Sequence, residues 1–161
     1  MSAAHATFVT HSPDETEALG EQLGRLLKPG DCVCLSGNLG VGKTCLVRGV
    51  ARGWGAIERP SSPTFTLINQ YHRADGARLF HVDCYRMSGI ADAVSSGLED
   101  ALDQGGVTLI EWAERIRELL PPDAIWVGLE DQGETRRAIQ LSATGDQVSN
   151  RLAAFYALMK S

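Results

Sequence analysis

Lysine is scarce in this chain: Lys28, Lys43 and Lys160 are the only three among 161 residues, against twelve arginines. Where positive charge is otherwise written as arginine, Lys43 marks a place that needs a compact ammonium rather than a planar fork. A basic excess is missing too, since the formal net charge is -5 and the sequence pI about 5.3. Tight, unaided capture of a nucleic-acid backbone is thereby disfavoured, because that affinity comes from Lys and Arg displacing counterions. No apolar run approaches the roughly 20 residues of a membrane span. The opening "MSAAHATFVTHSPDE" has neither a basic n-region nor an apolar h-region, which argues against a secretory signal and for a cytoplasmic protein. The four cysteines, Cys32, Cys34, Cys45 and Cys84, lack paired metal-ligand spacing and read as reduced thiols, with Cys32 and Cys34 in an apolar run.

What remains is the composition of an ordinary globular domain, 43% hydrophobic and 22% charged, and its length suits one domain over 1–161. Ser12, Pro13 and Glu15 form a capping box with proline at the first helical position. They start a helix whose Leu19, Leu23, Leu26 and Leu27 share a face and which Pro29-Gly30 ends. "DCVCLSG" reads as a buried strand, followed by a glycine-rich loop and a helix from Lys43 to Trp54. "TFTLINQY" and "ARLFHVD" read as strands around the Asp75-Gly76 turn. A helix is expected from about Ile90 to Leu102, then the strand "GVTLIEW", the helical "WAERIRELLPP", the strands "AIWVGLE" and "RRAIQLSA", and a closing helix over "VSNRLAAFYALMK". This alternation predicts an α/β fold, a three-layer P-loop NTPase-like domain with a mainly parallel central sheet plus antiparallel hairpins.

Gly37-Asn38-Leu39-Gly40-Val41-Gly42-Lys43-Thr44 matches G-x4-G-K-[ST] in full, between a strand and a helix. The glycines allow successive N–H groups to face phosphate oxygens at a helix N-terminus, Lys43 reaches the β- and γ-phosphates, and the Thr44 hydroxyl suits Mg2+. Such loops work with a carboxylate ending another buried strand. Asp83, closing "LFHVD", and Glu111, closing "VTLIE", are the two candidates. "RPSSPTFT" sets hydroxyls among prolines. It is either a plain loop into a strand or a switch in which Thr64 meets the γ-phosphate or its metal. His81, Asp83 and Tyr85 fall on one strand face. His81 beside a carboxylate is either a proton relay or a hydrogen-bonded structural histidine, and Arg86 reads as an ion-pair partner.

Taken in order, "GNLGVGKT", "SSPTFTLINQY", "HVDCYR" and "IEWAERIRELLP" closely resemble the TsaE (YjeE) family of bacterial P-loop ATPases, from the first helix to the last strand. The resemblance implies a weak, Mg2+-dependent ATPase needed for threonylcarbamoyladenosine in tRNA. It would act with the TsaD–TsaB pair, meet tRNA only through that complex, and reset the complex between turnovers. It further implies that Gly37 to Thr44, with Cys45, cradle ATP and that Thr44 and Glu111 hold Mg2+. Asp83 would position or deprotonate water, Thr64 would be the switch threonine, and Glu15 and Arg137 would lie near the adenine. Asn38 departs from the aspartate common in the family, and "ADAVSSGLEDAL" is less acidic than usual.

Other classes remain to be weighed. A small-molecule kinase would need an arginine-rich lid, and the only adjacent arginines are Arg136 and Arg137 in a predicted hairpin. A GTP switch would need a guanine reader, and Asn-Lys-x-Asp occurs nowhere. A nucleotide-dependent interaction module, in which binding alone matters, stays open.

Overall fold

The structure is a computed structural model that describes residues 4–37, 42–58, 68–84, 91 and 97–160. Thr64, Asn38 to Val41, Tyr85 and Arg86 lie outside the described residues. The strands are β1 (Ala4–Thr10), β2 (Cys32–Ser36), β3 (Ile68–His72), β4 (Arg78–Asp83), β5 (Val107–Glu111), β6 (Ala124–Asp131) and β7 (Arg137–Thr144). The helices are α1 (Pro13–Leu26), α2 (Lys43–Trp54), α3 (Leu98–Asp103) and α4 (Asp146–Lys160), with a 3-10 segment at Ala113–Leu119. The described strands form one seven-stranded sheet in the order β1-β7-β6-β2-β5-β4-β3. The four central strands, β6-β2-β5-β4, run parallel, and antiparallel pairs close both sides. The expected α/β sheet with antiparallel hairpins is thus observed. Among the described residues no helix is long and apolar enough to cross a membrane.

Strand alternation sorts the core into two layers. Val33, Leu35, Leu79, Leu109, Val127 and Ile139 face α1, α2 and α4. Cys32, Cys34, Val82, Cys84 and Ile110 face Leu98 of α3 and Ile116 of the 3-10 segment. On the first face α1 and α2 meet backbone to backbone. A methyl on Gly20 or Gly24 would run into the carbonyls of Leu46 or Val50, and one on Gly49 or Gly53 into those of Glu17 or Glu21. The reading of "WAERIRELLPP" as helix is corrected in kind: the segment is 3-10, with Ile116 out of helical geometry at φ -130°. The strand β1 was not anticipated, and it exists by pairing along its whole length with β7.

Candidate functional site

The two principal helices on the first face begin differently. At α1 the Ser12 hydroxyl accepts the Glu15 N–H at 3.1 Å, and Glu15 Oε1 accepts the His11 N–H at 3.1 Å, so the helix is capped by its own side chains. At α2 the N-cap is Gly42, held left-handed at φ 98°, with no side-chain cap. Among the described residues no side chain caps the first turn of α2, and the helix dipole there favours an anionic acceptor.

Lys43, the first residue of α2, is 3% exposed. Its ammonium donates to the Gly37 carbonyl at 3.0 Å and lies 3.9 Å from the centroid of the Trp112 ring. Burial pushes its pKa below the ordinary lysine range, while Glu111, Glu114 and Asp83 pull it back up. Trp112 is the one non-glycine residue at positive φ among those described, at 59°. Its N–H donates to the Leu35 carbonyl at 3.1 Å, and its own carbonyl accepts the Arg115 N–H at 3.1 Å. Those bonds hold a conformation costing about 1–2 kcal/mol and bring the indole over Lys43. Its placement over the lysine was not read from the sequence; the only signal was an aromatic directly after a strand-end carboxylate.

Parallel pairing of β4 with β5 sets Asp83 opposite Glu111, and pairing of β2 with β5 brings Glu111 beside Leu35, next to the loop. Lys43, Asp83 and Glu111 therefore share the carboxyl edge of the parallel strands, where open α/β sheets bind ligands. His81 Nε2 lies 2.6 Å from Glu111 Oε2. The histidine thus meets the carboxylate of the neighbouring strand rather than Asp83, two positions along its own. Thr44 is exposed and Cys45 half-buried on the same helix turn.

A cavity of about 190 Å3 lies beside Gly42, lined by Ser12, Thr16, Cys45, Glu134 and Arg137 among others. Arg137 donates to Asp131 at 3.2 Å and to the Gly133 carbonyl at 2.8 Å, which fixes it in the β6–β7 turn. Glu15 is not on this cavity; it caps α1 and lines a separate hollow with Phe8, Val9 and Leu158. The edge offers hard oxygen donors, which suit Mg2+. Among the described residues no three His, Cys, Asp or Glu side chains converge as a preformed metal cage.

A strand, a loop framed by Gly37 and Gly42, and a buried lysine heading the next helix, all facing strand-end carboxylates, define a three-layer α/β domain of the P-loop NTPase-like class. Residues 10–139 match the family described as "Threonylcarbamoyl adenosine biosynthesis protein TsaE". Proteins named tRNA threonylcarbamoyladenosine biosynthesis protein TsaE are similar over most of their length. That of Bacillus subtilis strain 168 is 37% identical over 86% of this chain and 85% of its own. That of Treponema pallidum is 37% identical over 83% and 98%, and that of Haemophilus influenzae 36% over 92% and 98%. The crystal structure of YdiB from Bacillus subtilis superimposes with a TM-score of 0.79 at 31% identity, covering 96% of each chain. The chain belongs to the TsaE family, and threonylcarbamoyladenosine biosynthesis in tRNA is the process to which it is tied.

Proposed function

We propose that the protein binds ATP with Mg2+ at the loop Gly37 to Thr44 and hydrolyses it, and that the hydrolysis drives the cycle of a TsaD–TsaB complex that modifies tRNA. The observation that carries this reading is the buried Lys43 ammonium beside the paired strand ends Asp83 and Glu111. Lys43 exchanges its contacts with Gly37 and Trp112 for the β- and γ-phosphate oxygens, and the open N–H groups of α2 take others. Thr44 and Glu111 hold Mg2+, which when bound neutralises charge on the phosphates. Asp83 orients the attacking water or accepts its proton, Thr64 contacts the γ-phosphate, and the cavity at Cys45 and Arg137 accepts the base, while Glu15 acts through its cap on α1. A net charge of -5 supports contact with tRNA through partners rather than directly.

The test is ATP hydrolysis by the purified protein with and without TsaD–TsaB, with Lys43→Ala as the blank. Feeble turnover alone that rises at least several-fold with the partners is expected; robust turnover indifferent to them overturns the coupling. Asp83→Asn should lose hydrolysis while keeping most ATP affinity, and cellular function surviving that loss would leave binding as the working step. GTP displacing ATP at equal concentration would remove the ATP assignment.

A further inference from the structure

His81 sits in the middle of β4, 1% exposed, opposite Asn69 of β3 and Leu109 of β5. Its Nε2 meets Glu111 Oε2 at 2.6 Å, with the two side chains 2% and 12% exposed. Among the described residues its other ring nitrogen, Nδ1, is buried and finds no hydrogen-bond partner. An unsatisfied buried polar atom is an expense that folded proteins rarely carry without a reason. An apolar residue of the same size would fill this place without the orphan, so packing does not account for an imidazole. The contact with Glu111 does.

We propose that His81 is the positioning residue of the metal-binding carboxylate, a role that rests on the ATP and Mg2+ reading of the same edge. Its Nε2–H donates to Oε2, which fixes the rotation of the carboxylate and would leave Oε1 available to hold the ion. The Nε2–H tautomer is the one that can make this bond to an ionised carboxylate; its cost is the bare lone pair on Nδ1, cheaper to bury than an unpaired N–H. Partners that orient a ligating group commonly set metal affinity by about 10- to 100-fold.

Gln reaches from Cβ to an N–H over the same number of bonds as the path to Nε2 of His, whereas Met fills similar space with no donor. ATP affinity is therefore measured by calorimetry with and without Mg2+ for the unaltered protein, His81→Gln and His81→Met, alongside thermal midpoints. The expected result is that His81→Met keeps its metal-free ATP affinity and its midpoint but loses at least tenfold of the gain that Mg2+ gives, and that His81→Gln recovers most of it. Should His81→Met not fold, His81→Asn takes its place, because its amide stops short of Glu111. An unchanged Mg2+ gain in the donor-less variant overturns the proposal, as does an equal loss in both variants with lowered midpoints. If the unaltered protein binds no ATP, the functional reading falls first.

Discussion

Burial decides the charge balance of individual groups here, and the signs can be followed. Lys43 has a folded pKa below its ordinary 10.5 because the ammonium is desolvated. Between the two values the unfolded chain binds more protons, so this residue costs stability while charged and the cost is relieved as pH rises toward 10.5. The thiols work the other way. Burial pushes Cys84 up from 9.0 to about 12. Cys34 is raised as well, chiefly by the neighbouring Cys32 thiol 3.8 Å away and then by burial. Above about pH 9 the unfolded chain sheds those protons while the native one keeps them, so stability falls. Two thiols outweigh one amine, and the net loss should reach about 1.4 kcal/mol per pH unit or more between pH 9 and 10.5, where the amine still offsets one thiol, and steepen above that. Urea midpoints at pH 8, 9 and 10 measure it, and Cys84→Ala should flatten the slope. A midpoint rising through this range would refute the ordering.

Among elements, the α1–α2 pair fixes where α2 starts, at Gly42 and Lys43. Its glycines bring the two backbones into contact, and the backbone carbonyls they face have no flexible side chain to yield. Gly49→Ala adds helix propensity worth about 1 kcal/mol, yet its methyl would overlap the Glu17 carbonyl. The clash wins, for a net loss of about 2 kcal/mol or more. Differential scanning calorimetry should show a midpoint lower by about 5 °C at that loss; an unchanged midpoint would mean that the helices separate freely. The same paired elements explain what a reader of the sequence can see. A capping box, a Gly-rich loop and strand-end carboxylates are local signals, and the loop, α1, β2, β5 and the Asp83 and Glu111 positions follow from them. The strand β1 escapes notice because its inward positions include Ala6 and Thr10, weak apolar markers that matter only once β7 lies alongside. The 3-10 segment shares its apolar spacing with a helix, so its tighter winding is invisible. The contact of His81 with Glu111 depends on the register of β4 against β5, which no single stretch encodes.

Across the whole molecule, one ion pair ties the closing helix to the sheet. Arg151 of α4 donates through two nitrogens to Asp31 at 2.6 Å each and to the Leu26 carbonyl at 3.2 Å, with the pair 19% and 8% exposed. Removing one partner strands a buried charge. Arg151→Ala should therefore lose about 3 kcal/mol in urea unfolding, while Arg151→Ala with Asp31→Ala should lose less, since no carboxylate is left unpaired. Equal losses in the two would show that the pair contributes only packing.

The interleaved order of the central strands bears on when the site comes into being. Gly37, Asp83 and Glu111 stand far apart along the chain, and they become neighbours only when β2, β5 and β4 have zipped in register. Parallel pairings of this span are slow steps in folding, because the loop-closure entropy is lost before the contacts repay it. A nascent chain that ends before residue 111 has the glycine loop but not the carboxylate beside it. If nucleotide binds as proposed, it would discriminate by maturity, stabilising finished molecules over partial ones by mass action and drawing the last parallel pairings to completion.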